Sequence, residues 1–269
     1  MVNKLFKHEL NSYLRVVLPM HMVLIGVALL GRFVQLFDND STAYNIVFWS
    51  SVVVFCVGVV ACILLTLVFG IRRFYTNLFT SEGYLSFTLP VTSTQHILVK
   101  NIVAVVSQVA SLVMILFATC VITLGDVCVE LFKAGGYLLK FFYREFDYHT
   151  ILYIVEFIIA LFVALCATYM LYYACIALGQ RAKKNRVAAA VGVFFIYYLI
   201  MQVLATVFII IVSVFYEQLH IELILEYLET HPIFTIHLAL CGTIVVDSLL
   251  WLLYYAITKS TIKNKLNLE

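Results

Sequence analysis

The sequence predicts an all-α polytopic membrane protein: six transmembrane helices, preceded by an N-terminal amphipathic interfacial helix and joined on the outer face by helical loops. Three observations carry this prediction. Hydrophobic residues make up 64% of the 269 residues and charged residues only 12%, about half the charge of an ordinary soluble domain. The apolar residues gather into six runs, each long enough to cross a hydrocarbon core of about 30 Å, which takes about 20 residues of helix. The runs lack polar and apolar alternation, which excludes a barrel; lipid offers the backbone no partners, so the runs must be helices.

The elements follow in order along a single transmembrane domain, 1–269. Over 1–17, Val2, Leu5, Phe6, Leu10, Tyr13, Leu14 and Val17 recur at helical spacing opposite Lys4, Lys7, His8, Asn11, Ser12 and Arg15, the pattern of a helix lying in the inner interface. It reads as a plain anchor or as a lever that also touches a cytoplasmic partner. Pro19 suits a break where this helix turns into the bilayer. No cleavable signal is expected, since no short apolar core precedes a small-residue cleavage site. Spans are predicted at 18–37, 46–70, 102–124, 151–178, 187–216 and 233–258. Span five would be about 45 Å long, more than one crossing needs, so its outer end must tilt, project or fold back.

The connections carry their own signals. Between spans two and three, over 71–101, Gly83 permits a change of direction and Pro90 restricts Leu89. Thr92 and Gln95 then have the spacing of a capping box, which starts the next helix. Between spans three and four, Asp126, Glu130, Lys133, Tyr137, Lys140, Arg144 and Asp147 advance by fours and threes, one polar stripe of an outer helix; Gly135 and Gly136 leave one helix or two open. After span five, Glu222, Glu226 and Glu229 share a face of a second outer segment.

Cationic residues favour the cytoplasmic side of span ends. With the N-terminus inside, Lys4, Lys7, Arg15, Arg72, Arg73, Lys100, Arg181, Lys183, Lys184, Arg186, Lys259, Lys263 and Lys265 are cytoplasmic, thirteen of the seventeen Lys and Arg residues. Both termini are therefore expected in the cytoplasm. Six of the seven cysteines fall within spans and read as small hydrophobes; Cys128 alone lies outside, where it would pair, if at all, with a second copy.

Ionisable groups at membrane depth are functional candidates by default. Arg32 lies about 21 Å from the inner boundary and Glu156 about 8 Å below the outer one, so their depths agree and they are expected to pair, within the chain or across a dimer. The pair reads first as packing glue, then as part of a substrate path. Asp247 is deeper and has no matching cation, and it reads equally as structural or as part of the translocation path; Tyr197, Tyr198 and Gln202 of span five could line that path, although aromatic helix faces are more often packing surfaces. His21 and His237 suit hydrogen bonding between helices rather than metal. The catalytic and phosphate-loop motifs are absent, so no catalytic or metal site is assigned and the chain is not expected to be an enzyme.

The connection 71–101 holds the most particular segment. Tyr84, Leu85, Phe87 and Leu89 are apolar beside Glu82, and an apolar patch rimmed by charge marks a protein contact; a helix dipping into the inner leaflet would carry more Lys or Arg. The segment "EGYLSFTLPVTSTQHILVK", with the preceding "RRFYTNLF", resembles the cytoplasmic connection of bacterial ATP-binding-cassette (ABC) transporter permeases of the type-2 exporter family. The run E-G-Y-L-x-x-T-L-P carries most of the likeness, and the layout of interfacial helix, six spans and outer helical segment extends it to the whole chain.

This resemblance implies a permease of the bacterial cytoplasmic membrane. It would work with a second permease copy, as a homodimer or related heterodimer, and with a separate ABC ATPase that binds ATP and Mg; the chain itself holds no cofactor. Glu82, Gly83, Tyr84, Leu85, Phe87, Leu89 and Pro90 would form the ATPase contact, and spans one and five would face the partner permease and the path. The lipid bilayer and protein subunits, with no nucleic acid, are the implied surroundings. The cargo would be a peptide, an antibiotic, a lipid or another amphiphile. The alternative is an ATPase-independent membrane protein, either a secondary transporter or a sensor or immunity protein. Inverted repeats would favour the transporter, and the halves show no convincing similarity.

Overall fold

A computed structural model describes residues 2–37, 41–80, 83, 91–182, 184–218 and 220–265, which form helices and turns with no strand among them. The helices are α1 (Val2–Gln35), α2 (Thr42–Phe79), α3 (Ser93–Ile122), α4 (Asp126–Phe146), α5 (His149–Gly179), α6 (Arg186–Val214), α7 (Ile221–Thr230) and α8 (Pro232–Lys265). Six of them, α1, α2, α3, α5, α6 and α8, are long and apolar enough to cross a membrane. The Val- and Ile-rich stretches are helical because a membrane-spanning backbone must satisfy its own hydrogen bonds.

Two boundaries differ from the sequence reading. Pro19 does not break the chain: α1 runs unbroken through it for 34 residues, so the expected interfacial helix is a continuation of the first span. An internal proline costs a helix about 3 kcal/mol, offset here by the packing of Tyr13, Val17, Leu24 and Ala28, all buried on one stripe. Gly135 and Gly136 likewise leave α4 as one helix. The start of α3 follows the expected cap. The Thr92 hydroxyl accepts from the Gln95 N–H at 3.3 Å, and the Thr92 N–H donates to Gln95 Oε1 at 3.0 Å.

The chain forms two compact units. The first comprises α1, α2 as far as Thr76, α3, and α4 as far as Phe141; the second comprises the remaining ends of α2 and α4 with α5 to α8. The core of the first unit joins Leu24 and Ala28 of α1, Phe55 and Cys62 of α2, and Ile115, Ala118 and Ile122 of α3. Small residues set how closely α1 and α3 approach: a Cβ on Gly31 would lie 2.8 Å from Ile122 Cδ1. Such small-residue contacts let membrane helices gain van der Waals energy where lipid supplies no hydrophobic drive. Within this core the Ser111 hydroxyl donates to Thr66 Oγ1 at 3.0 Å, while Thr66 donates to the Cys62 carbonyl at 2.8 Å.

In the second unit α5 packs along α8 and α6. The α5–α6 approach is backbone on backbone, since a Cβ at Gly179 would stand 2.6 Å from Ala190 Cα. The outer segment after α6 forms α7, on which Glu222, Glu226 and Glu229 are all exposed. α6 has no buried residue, and most of its large apolar side chains are exposed.

Candidate functional site

The first unit concentrates charge at the end that holds the N-terminus of α1. Glu9 lies four residues before Tyr13 and eight before Val17 in the helix, on the buried stripe, and its side chain is only 3% exposed. It is held by two cations. Arg73 Nε of α2 donates to Oε2 at 2.6 Å, and Lys100 Nζ of α3, itself 4% exposed, donates to Oε1 at 2.6 Å. Each carboxylate oxygen therefore takes one charge-assisted bond. Tyr13, one turn along, meets Phe69 edge-on at 5.0 Å. The three helices are thus tied by ions at the ends that bracket residues 80–92.

Sequence reasoning missed Glu9 because its cations are 64 and 91 residues away. A signal was present all the same: an acid spaced by whole helical turns from Tyr13 and Val17 sits on the apolar face, where a charge is kept only if paired.

Of the expected ATPase-contact residues, Gly83 is described; it is buried, and its N–H donates to the Thr80 carbonyl at 2.8 Å. Glu82, Tyr84, Leu85, Phe87, Leu89 and Pro90 lie outside the described residues.

The opposite end of the first unit carries Arg32 in the last turn of α1. Its Nη1 donates to Gln35 Oε1 at 3.0 Å, and Gln35 Nε2 in turn donates to the Ile122 carbonyl of α3 at 3.1 Å. The guanidinium lies over Gly125, where a Cβ would meet Nη2 at 3.3 Å and the backbone φ is +113°. Together these residues border a cavity of about 630 Å³ with Phe48, Phe55 and Thr119.

Glu156 belongs to the second unit, where it has a partner of its own. His237 Nδ1 lies 2.8 Å from Glu156 Oε1 and 2.9 Å from Oε2, and His149 Nδ1 lies 3.0 Å from His237 Nε2. A carboxylate only accepts, so His237 donates from Nδ1, and its Nε2 shares a hydrogen bond with His149 Nδ1. Tyr153 covers this chain, its ring 4.6 Å from that of His237 and its hydroxyl donating to the Ile233 carbonyl at 3.3 Å. Within the chain Arg32 bonds Gln35 and Glu156 bonds His237, each inside its own unit, rather than each other. His237 makes the interhelical bonds expected of it. The buried Nε2 of His21 has no hydrogen-bond partner among the described residues.

Of the residues placed on a translocation path, Tyr197 of α6 hydrogen-bonds through its hydroxyl to that of Tyr254 on α8, and Asp247 lies two turns before Tyr254 on the same helix. Tyr198 and Gln202 are exposed. Tyr198 follows Tyr197 by about 100° around the helix, which is why the neighbours part. The chain matches no protein-family model, no curated protein and no solved structure.

Proposed function

We propose that the chain is the membrane-spanning permease subunit of an ABC exporter, working in the bacterial cytoplasmic membrane with both termini inside and driven by a separate ATPase. The observation that supports this reading is the run E-G-Y-L-x-x-T-L-P over 82–90, which resembles the cytoplasmic connection of such permeases; Glu9 bonded to Arg73 and Lys100, cations on the two helices that bracket residues 80–92, fits it. In this reading residues 82–90 seat in the ATPase. Closure of two ATPases on ATP and Mg displaces that segment, and the ionic tie makes the ends of α1, α2 and α3 move together. A loosely held end would let the displacement dissipate in one helix. The permease, paired with a second copy, then opens outward and releases a hydrophobic or amphipathic cargo. The two states are biased by the difference in their binding energies for nucleotide and substrate. The exposed apolar length of α6 fits a surface for lipid or the second copy.

The test is expression of the tagged chain in its native host, followed by purification of the wild type, Glu82→Ala and Tyr84→Ala and a search of each preparation for a phosphate-loop ATPase. The wild type is expected to retain the ATPase and both variants to lose much of it. Undiminished association and ATP-coupled transport in both variants would overturn the assignment of the contact.

A further inference from the structure

The geometry points to a binding site for an anionic amphiphile at the Arg32 end of the first unit, in which Arg32 takes the charged headgroup and the aromatic wall of the cavity takes the apolar body. Binding here needs no ATPase, so the inference stands apart from the transport reading.

Three observations meet at this place. First, the space is of ligand size: about 630 Å³, within the range of about 300–1,000 Å³ usual for small-molecule pockets. Second, its lining offers both a cation and apolar surface: Arg32 and Gln35 come from α1, and Phe48, Val52 and Phe55 from α2, with the polar Tyr44, Thr119 and Thr123 also on the lining. Third, among the described residues the cation is held without being neutralised. Arg73 and Lys100 share the carboxylate of Glu9, whereas Arg32 has a neutral partner, Gln35, and no carboxylate among the described residues pairs with it.

The surroundings of Arg32 read as a mount for the guanidinium. Gln35 is used on both sides, accepting from Nη1 and donating to the Ile122 carbonyl, so it anchors the guanidinium to α3 by one edge. Gly125, with no side chain, lets the other terminal nitrogen lie against the turn. The remaining N–H groups are left for a planar anion, which a guanidinium takes by two parallel bonds. Depth sharpens the preference, because a cation near an apolar wall is far better satisfied by an anion carrying its own apolar body than by a small hydrated ion. A carboxylate or phosphate headgroup on an acyl or aromatic body meets both demands.

The experiment uses the full chain in nanodiscs of phosphatidylcholine alone, titrated with a fluorescent long-chain fatty acid and, in parallel, with its methyl ester. The acid is expected to bind saturably to the wild type and at least tenfold more weakly to Arg32→Gln, while the ester binds both alike. Gln35→Glu keeps the arginine but supplies an internal carboxylate three residues away, and is expected to lose the acid to the same degree; it serves if Arg32→Gln fails to fold. Adding phosphatidylglycerol to the discs separates the sources: displacement of the acid assigns the site to a two-chain membrane lipid, and failure to displace it assigns the site to a single-chain amphiphile. Absence of saturable binding to the wild type, or unchanged affinity in both variants, overturns the proposal.

Discussion

Replacing Glu9 with glutamine removes a charge that bonds both Arg73 and Lys100 inside the first unit. The amide would keep a single carbonyl acceptor, so one of Arg73 and Lys100 retains a hydrogen bond and the other faces an amide N–H. Lys100 is the more deeply buried of the two, 4% exposed against 15% for Arg73. Breaking a buried pair by removing one partner costs about 3–5 kcal/mol. At about 2–4 °C per kcal/mol for a chain of this size class, the melting temperature is expected to fall by roughly 6–20 °C. Thermal unfolding in detergent micelles, followed by intrinsic fluorescence, measures this. The triple variant Glu9→Leu, Arg73→Met, Lys100→Met separates stability from transmission: apolar replacement of a whole buried network is often neutral or stabilising. It is expected to recover the melting temperature without recovering ATP-coupled transport. A Glu9→Gln melting temperature within a degree or two of the wild type would refute the claim that the tie holds the three helices.

In the second unit, His237→Ala strands the Glu156 carboxylate and removes the hydrogen-bond partner of His149 Nδ1 and should cost about 1–3 kcal/mol; a double-mutant cycle with Glu156→Gln, read by thermal unfolding, should return a coupling that vanishes if the two do not interact. Gly179→Ala places a methyl 2.6 Å from the Ala190 backbone and should cost about 1–3 kcal/mol by forcing α5 from α6, whereas Gly192→Ala, which meets nothing within 4 Å, should gain up to about 1 kcal/mol of helix propensity; similar melting temperatures for the two variants would contradict that packing. Thr92→Ala removes the α3 cap and should cost about 0.5–2 kcal/mol, seen as faster amide exchange in the first turn of α3 and not in its middle.

What was legible in the sequence was what depends on neighbours in the chain. The six spans follow from apolar length, and the α3 cap from two residues three apart. Features decided by distant neighbours were not. Pro19 is a helix breaker by its own chemistry, but packing of the buried stripe on another face of α1 overrides that. Depth arithmetic put Arg32 and Glu156 at one level, yet depth says nothing of which way a side chain faces; His237, 81 residues from Glu156, is the group that faces it. Glu9 was hidden because its cations belong to other helices. Tyr197 and Tyr198 could be placed on α6 but not assigned faces, because α6 is apolar all round and lacks a stripe to orient it.

The measurement that bears most directly on the proposed function is ATP hydrolysis by the complex purified through a tag on this chain and reconstituted in nanodiscs. The account predicts a phosphate-loop ATPase present in stoichiometric amount, vanadate-sensitive turnover, and loss of both in Tyr84→Ala. A chain that purifies folded, with no such subunit and no vanadate-sensitive hydrolysis, would contradict it.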